Sequence, residues 1–292
     1  MPSDEPLVEC VVNVSEGRDP AVLAALAEAA GAPLLDRHHD VHHNRSVWTL
    51  AGPLAAVQGA ARRLAAEAVR RLDLRHHVGV HPRLGVVDVV PWVALAVRGG
   101  RLVDGNADEA VRARDAFAAW ASAELALPCF LYGPERSLPD VRRRAWTDLA
   151  PDTGPAAAHP TAGAACVGAR PLLVAYNLWL VEPDLALARR VASEIRSPTL
   201  RTLGLAVGDR VQVSCNLVDP LRVGPADAFD AVTARTAVAR AELVGLVPAA
   251  VLDAVDPARW PSLDLRPEGA IEARLQETGL DGGRFAARLE RR

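Results

Sequence analysis

Histidine is the side chain best suited to moving protons near neutral pH, and here it is unevenly spread. Of eight histidines, seven lie between His38 and His81. One group is His76-His77-Val78-Gly79-Val80-His81-Pro82-Arg83-Leu84-Gly85. Glycines bracket it, a proline stiffens it, and it falls between a long helical pattern and a strand pattern. A loop on a rigid scaffold is a common place for reactive side chains. His81 suits general acid/base work there, and Arg83 suits pairing with a carboxylate. An ordinary surface turn fits the same residues. The other group is His38-His39-Asp40-Val41-His42-His43-Asn44-Arg45. On a helix its i,i+4 histidine pairs would suit zinc. Strand patterns flank it, so a solvated connecting loop is the preferred reading over a metal site.

Two smaller groups accompany the histidines. Asn13-Val14-Ser15-Glu16-Gly17-Arg18 follows the first strand pattern and sends polar residues to one end of that sheet, or simply forms a helix entry turn. Asp88 stands inside the apolar run Val86-Val87-Asp88-Val89-Val90-Pro91. A carboxylate there needs a partner or a site, and a backbone amide or an arginine would serve. No G-x-S-x-G, H-E-x-x-H or G-x-G-x-x-G occurs, so nucleotide cofactor binding has no support.

The elements that must position these residues follow from periodicity. Strands are predicted over 7–14, 34–38, 45–51, 86–95 and 129–132, and the polar run 38–45 links two of them. Asp19 and Pro20 open a helix that closes near Gly31. Residues 53–72 form an amphipathic helix with Leu54, Val57, Ala61, Leu64, Ala68 and Leu72 on one face. Asn106 and Glu109 give a capping-box-like start to a helix ending before Pro128. After a Pro/Gly/Ala-rich stretch, 151–163, the pattern restarts: strand 171–181, helix 183–197, strands 200–207 and 210–217 around Gly208-Asp209, helix 225–240, strand 243–247. That order is β-α-β-β-α-β, the ferredoxin-like split unit, and the first half opens the same way. The expected fold is α/β (α+β): two tandem ferredoxin-like subdomains, 1–170 and 171–292, with facing sheets and outer helices. On strand 211–217, Gln212, Ser214 and Asn216 alternate with apolar residues and line either a channel or a solvent face.

Composition narrows the chemistry. The chain has 292 residues, 50% hydrophobic and 24% charged, with aromatics at 4%; this is a globular composition with an aliphatic core. There is no lysine, so all 33 basic residues are arginine. Lysine Schiff-base chemistry is excluded, and with it the usual pyridoxal phosphate enzymes and the Walker-type phosphate loop. A net charge of -3 argues against nucleic acid. Cys10, Cys129, Cys166 and Cys215 lack metal-ligand spacing and read as buried hydrophobes in a reducing compartment. The polar stretch 1–6 is no signal peptide, and no apolar run reaches membrane-spanning length. A soluble, cytoplasmic protein is expected.

The stretches VECVVNVSEGRD (8–19), LLDRHHDVHHNRSVWTLAG (34–52), GVHPRLGVVDVVPW (79–92), VGARPLLVAYNLWL (167–180), VSCNLVD (213–219) and ELVGLVP (242–248) together resemble the formiminotransferase family, in the family's order. That family comprises free-standing glutamate formimidoyltransferases and the formiminotransferase domain of formiminotransferase-cyclodeaminases. The resemblance implies two α/β subdomains around a folate tunnel and a homodimer. It implies transfer of a formimino group from N-formimino-L-glutamate to N5 of tetrahydrofolate, in histidine breakdown. Tetrahydrofolate is then a co-substrate, with small-molecule substrates throughout and no metal, nucleotide or pyridoxal phosphate. The cyclodeaminase domain has no counterpart in these residues.

The family's catalytic histidine falls on His81. Its folate-contacting segment falls on Gly154, Pro155, Ala156, Ala157, Ala158, His159, Pro160, Thr161, Ala162 and Gly163. Arg45 and Arg83 become candidates for the glutamate carboxylates. Asn13, Glu16, Asn44 and Asp88 become candidates for hydrogen bonds to pterin, amidine or His81. Val80 stands where the animal enzymes carry glutamate, and the folate segment lacks their aromatic residues, with His159 a candidate substitute. Other readings keep the fold with another one-carbon donor, or make the chain a non-catalytic folate-binding paralogue; a zinc hydrolase is more distant.

Overall fold

A computed structural model describes residues 5–285; residues 1–4, the start of the polar N-terminal stretch, and 286–292 lie outside them. Among the described residues the chain divides into two compact units. One comprises 5–96, 104–170 and 278–284; the other comprises 97–103, 171–277 and 285.

The first unit opens with β1 (Leu7–Val14), α1 (Pro20–Ala30), β2 (Leu34–Asp40), β3 (Arg45–Pro53), α2 (Leu54–Arg71) and β4 (Val87–Arg98). Along the chain β5 (Arg101–Asp104), of which 101–103 count with the second unit, comes next, and α3 (Ala107–Leu125), β6 (Cys129–Tyr132), α4 (Leu138–Arg144) and β7 (Ala165–Ala169) of the first unit follow. The sheet runs β2-β3-β1-β4-β7-β6, with β5 pairing β4. β1 is antiparallel to both β3 and β4, and β3 separates it from β2, which is the split β-α-β arrangement of a ferredoxin-like fold. β7 is parallel to β4 and β6 and extends the sheet.

Alternation decides which face carries the core. Val8, Cys10, Val12 and Val14 of β1 join Leu23 and Leu26 of α1, Val57, Leu64 and Ala68 of α2, and Phe117 of α3. Asp19 caps α1 by accepting from Ala21 N at 2.8 Å and Val22 N at 3.2 Å. The opposite face at the β7–β6 edge is covered by α4: Val141 packs with Val89, Phe130, Tyr132 and Cys166.

The second unit holds β8 (Val174–Leu180), α5 (Leu185–Ile195), β9 (Leu200–Val207), β10 (Arg210–Leu217), α6 (Pro225–Thr233), β11 (Val238–Val244), α7 (Ala249–Asp253) and α8 (Ile271–Thr278). Its sheet order, β11-β8-β10-β9, repeats the split arrangement. Val211, Val213, Cys215 and Leu217 enter the core with Tyr176 and Leu178. On the other face of β10, Gln212 is buried, Ser214 half-buried and Asn216 exposed.

Several elements differ from expectation. The helix expected over 225–240 ends at Thr233, whose hydroxyl donates back to the Phe229 carbonyl at 2.9 Å. The strand expected from Leu243 begins at Val238, because Val238 and Leu243 pair with Leu180 and Tyr176 of β8. Pairing with a neighbouring strand overrode local helical preference. β2 continues through His38, His39 and Asp40, paired with Val47, Ser46 and Arg45, so the connecting loop is shorter than read. Asn106 caps α3 by accepting from Asp108 N at 3.0 Å rather than through a reciprocal box with Glu109. The short elements β5, β7 and α4 had no counterpart in the sequence reading.

Candidate active site

One end of the first sheet gathers three loops, and Asn44 ties them. Asn44 sits at the β2–β3 turn with φ 47°, a left-handed conformation that asparagine tolerates. Its Oδ1 accepts from Gly17 N at 2.9 Å and its Nδ2 donates to the Val78 carbonyl at 3.1 Å. His77 Nε2 donates to the Asn44 carbonyl at 2.9 Å. The histidine loop passes so close that a Cβ on Gly79 would lie 2.3 Å from the His43 carbonyl oxygen. Glu16 turns onto its own loop, with Oε1 accepting from Arg18 N at 2.6 Å and Asp19 N at 2.9 Å.

Beside this staple lies an ionic cluster. Asn13 pairs with Val89 and Val14 with Val87, so β4 has one extra residue there, Asp88. A β-bulge of this kind re-aims a side chain. Asp88 is fully buried, and it receives Arg45 Nη1 at 2.5 Å, Arg142 Nη2 at 2.7 Å and Leu84 N at 2.8 Å. Burial pushes its carboxyl up, but the two guanidiniums outweigh that and hold it at about 2. Asn13 Oδ1 takes the other side of the Arg45 fork, from Nη2 at 2.7 Å and Nε at 3.2 Å.

His81 stands at this cluster, partly buried. Its Nδ1 lies 2.7 Å from the Pro82 carbonyl oxygen. A carbonyl only accepts, so Nδ1 carries the hydrogen and the neutral ring keeps its lone pair on Nε2. Burial first, then Arg45 and Arg142, push the imidazole down to about 3 against the opposing pull of Asp88. The ring is therefore a neutral base at neutral pH. His43 meets it edge-on, with centroids 6.0 Å apart. Arg83 Nη2 donates to the His81 carbonyl at 2.8 Å and to the Gly79 carbonyl, bracing its own loop.

The glycine-rich segment reaches the same loop at one end only. Gly154 to Ala158 are exposed, and Gly154 packs where a Cβ would be 2.9 Å from Ser122 Oγ. The turn from His159 to Gly163 closes on itself: His159 N donates to the Gly163 carbonyl at 2.8 Å, and His159 Nδ1 accepts from Ala162 N at 2.9 Å. Val86 N donates to the Ala162 carbonyl at 2.9 Å and Leu74 N to the Thr161 carbonyl at 2.7 Å. Thus Asn13, Arg45 and Asp88 touch directly, His81 and Arg83 adjoin them, Asn44 supports the loop, and Glu16 stays with its own turn. His159 commits Nδ1 to the turn, and Pro160 is exposed.

Sequence reasoning missed two residues. Arg142 contributes half of the Asp88 clamp; the visible signal was Ser137-Leu138-Pro139-Asp140, which forms a capping box opening α4. Glu9 lies four positions before Asn13 on β1 and therefore on the same face. It is buried, its Oε2 lacks a hydrogen-bond partner, and burial pushes its carboxyl up to about 7 despite Arg170. Among the described residues no three His, Cys, Asp or Glu side chains are grouped to hold a metal ion, and no helix is long and apolar enough to cross a membrane.

A family model described as the formiminotransferase domain, N-terminal subdomain, matches residues 7–170. A glutamate formimidoyltransferase of Streptococcus pyogenes serotype M1 is 35% identical over 277 residues, 84% of this chain and 90% of that protein. One from Thermoplasma acidophilum is 30% identical over 290 residues, covering 87% and 91%. The formimidoyltransferase-cyclodeaminase of Sus scrofa is 35% identical over 288 residues, 85% of this chain but 51% of that protein, so the chain spans about half the length of that two-part relative.

Proposed function

Because this chain belongs to the formiminotransferase family, we propose that it transfers a formimino group from N-formimino-L-glutamate to N5 of tetrahydrofolate, in histidine degradation. The observation that carries the site assignment is His81, a neutral imidazole with Nδ1 committed to Pro82 and Nε2 left for proton transfer. Nε2 accepts the proton shed by the nitrogen that bonds the amidine carbon, and returns it to the glutamate nitrogen that departs. One histidine can perform both transfers in turn. Holding the two substrates in register supplies much of the remaining acceleration.

Arg45, Arg83 and Arg142 outnumber Asp88, and this surplus of positive charge favours the carboxylates of the donor. Arg45 is already engaged by Asn13 and Asp88, so its part is chiefly to set the field around His81. The segment from Gly154 to Gly163 holds tetrahydrofolate; the exposure of Gly154 to Ala158, which carry little beyond a Cβ except at Pro155, supports contact through the backbone. Residues up to Arg170 make the N-terminal subdomain and those from Pro171 the C-terminal one. The enzyme works as a cytoplasmic homodimer on small molecules, without metal, nucleotide or pyridoxal phosphate; the absence of lysine supports the last point. Formation of formimino-tetrahydrofolate by the purified protein tests the reading, and its absence with both substrates present refutes it.

A further inference from the structure

Arg142 touches two acceptors at the His81 loop with one guanidinium. Nη1 donates to the Pro82 carbonyl at 3.0 Å, and Nη2 donates to Asp88 Oδ2 at 2.7 Å. The same Pro82 oxygen is the partner of His81 Nδ1 at 2.7 Å. A carbonyl oxygen has two lone pairs, so it serves both donors. Arg83 also braces this loop, but from two and four residues away within it. Arg142 comes from α4, 60 positions along the chain, and locks the Pro82 peptide to the bulge residue of β4. Its planar fork fixes the two acceptors relative to each other, which a point charge does not do.

We propose that Arg142 is a positioning residue: it holds the Pro82 carbonyl where that oxygen fixes His81 in the Nδ1–H tautomer and keeps Nε2 as the nitrogen available to substrate. The catalytic consequence rests on the proposed formimino transfer; the tautomer does not. The groups facing the ring are Arg45 from β3, Asp88 from β4, Arg142 from α4 and His43 from the β2–β3 turn, while Arg83 from the same loop holds the His81 main-chain carbonyl. Among these, Arg142 alone donates to the Pro82 oxygen in company with His81.

The test needs no substrate for its first readout. Long-range nitrogen-15 spectra of protein carrying labelled histidine report each ring's tautomer, and His81→Gln identifies the His81 signal. The wild type is expected to show Nδ1 protonated and Nε2 bare. Arg142→Met, and Arg142→Lys, which keeps the charge but not the fork, are expected to show mixed tautomers. In Arg142→Lys kcat is expected to fall about 10- to 100-fold with KM for each substrate within about twofold, whereas Arg142→Met, which also removes a charge that favours the donor, is judged by its tautomer. Arg142→Lys decides the matter if Arg142→Met fails to fold. A wild-type ring protonated on Nε2, or a folded Arg142→Lys variant with the wild-type tautomer or the wild-type kcat, overturns the proposal. A wild type that transfers nothing refutes the functional reading instead, while the spectra still judge Arg142.

Discussion

Arg45 Nη1 meets Asp88 Oδ2 at 2.5 Å, and Asp88 is the residue by which β4 bulges opposite Asn13 and Val14. The bulge turns a strand carboxylate onto two guanidiniums that would otherwise repel each other beside His81. Asp88→Asn keeps the shape and removes the charge, leaving Arg45 and Arg142 uncompensated. Unfolding free energy is expected to fall by about 3–5 kcal/mol, read by chemical denaturation. The pH dependence has a definite sign. With its folded value held at about 2, below an ordinary value of about 4, Asp88 stabilises the fold fully above about pH 4 and loses that contribution as pH falls through 2. The variant should lack that acid limb.

His81 should not titrate at the ordinary histidine value. Burial and the two neighbouring arginines hold it at about 3, so the base form is present throughout the neutral range. The profile of kcat/KM, which reports groups of the free enzyme, is expected to show no acid limb near 6.5. A limb at that value, traced to His81 by its nuclear resonance titration, would contradict the described electrostatics.

Glu9 predicts the opposite stability trend. Its folded value, about 7, lies above the ordinary glutamate value of about 4.5. The group therefore favours the fold below about 4.5, and this contribution is lost as pH rises through 7, when a buried charge must form. Glu9→Gln cannot ionise. The difference in Tm between variant and wild type is expected to be more positive at pH 8 than at pH 5, and an equal difference at both would refute the assignment.

The histidine loop depends on a glycine for its approach to the β2–β3 turn. A Cβ at Gly79 would lie 2.3 Å from the His43 carbonyl oxygen and 3.0 Å from Asn44 Cβ. Gly79→Ala must displace the loop that carries His81. Displacements of about 1 Å near a reacting group can cost about 100-fold in rate, so kcat should fall by at least about tenfold, with tetrahydrofolate binding retained in equilibrium titration.

Long periodic elements were legible because burial wrote itself into alternation. β1 sends Val8, Cys10, Val12 and Val14 to the helices, and both split units follow from such strands. β7 was not legible: Ala-Cys-Val-Gly-Ala is buried on both faces, and a doubly buried strand of small residues has no polar alternation to mark it. α4 has seven residues, too few turns for a hydrophobic periodicity to mark it. Only the packing of Val141 beneath the sheet turns Arg142 inward. Asp88 announced itself as a misplaced carboxylate, and its arginine partners were anticipated as a type. That the bulge would join Arg45 and Arg142 depends on register, which the sequence does not display. His81 was found through its loop chemistry and the family resemblance together, whereas its tautomer needed the position of the Pro82 carbonyl.

The central claim is that His81 moves the protons of formimino transfer. The purified protein and His81→Ala would be mixed with tetrahydrofolate and N-formimino-L-glutamate, and the formimino product, converted by acid to methenyl-tetrahydrofolate, followed by absorbance. Turnover by the wild type, with kcat reduced about 100- to 10,000-fold in the variant while tetrahydrofolate still binds, is the predicted result. Turnover of equal rate in both proteins would contradict the account of His81.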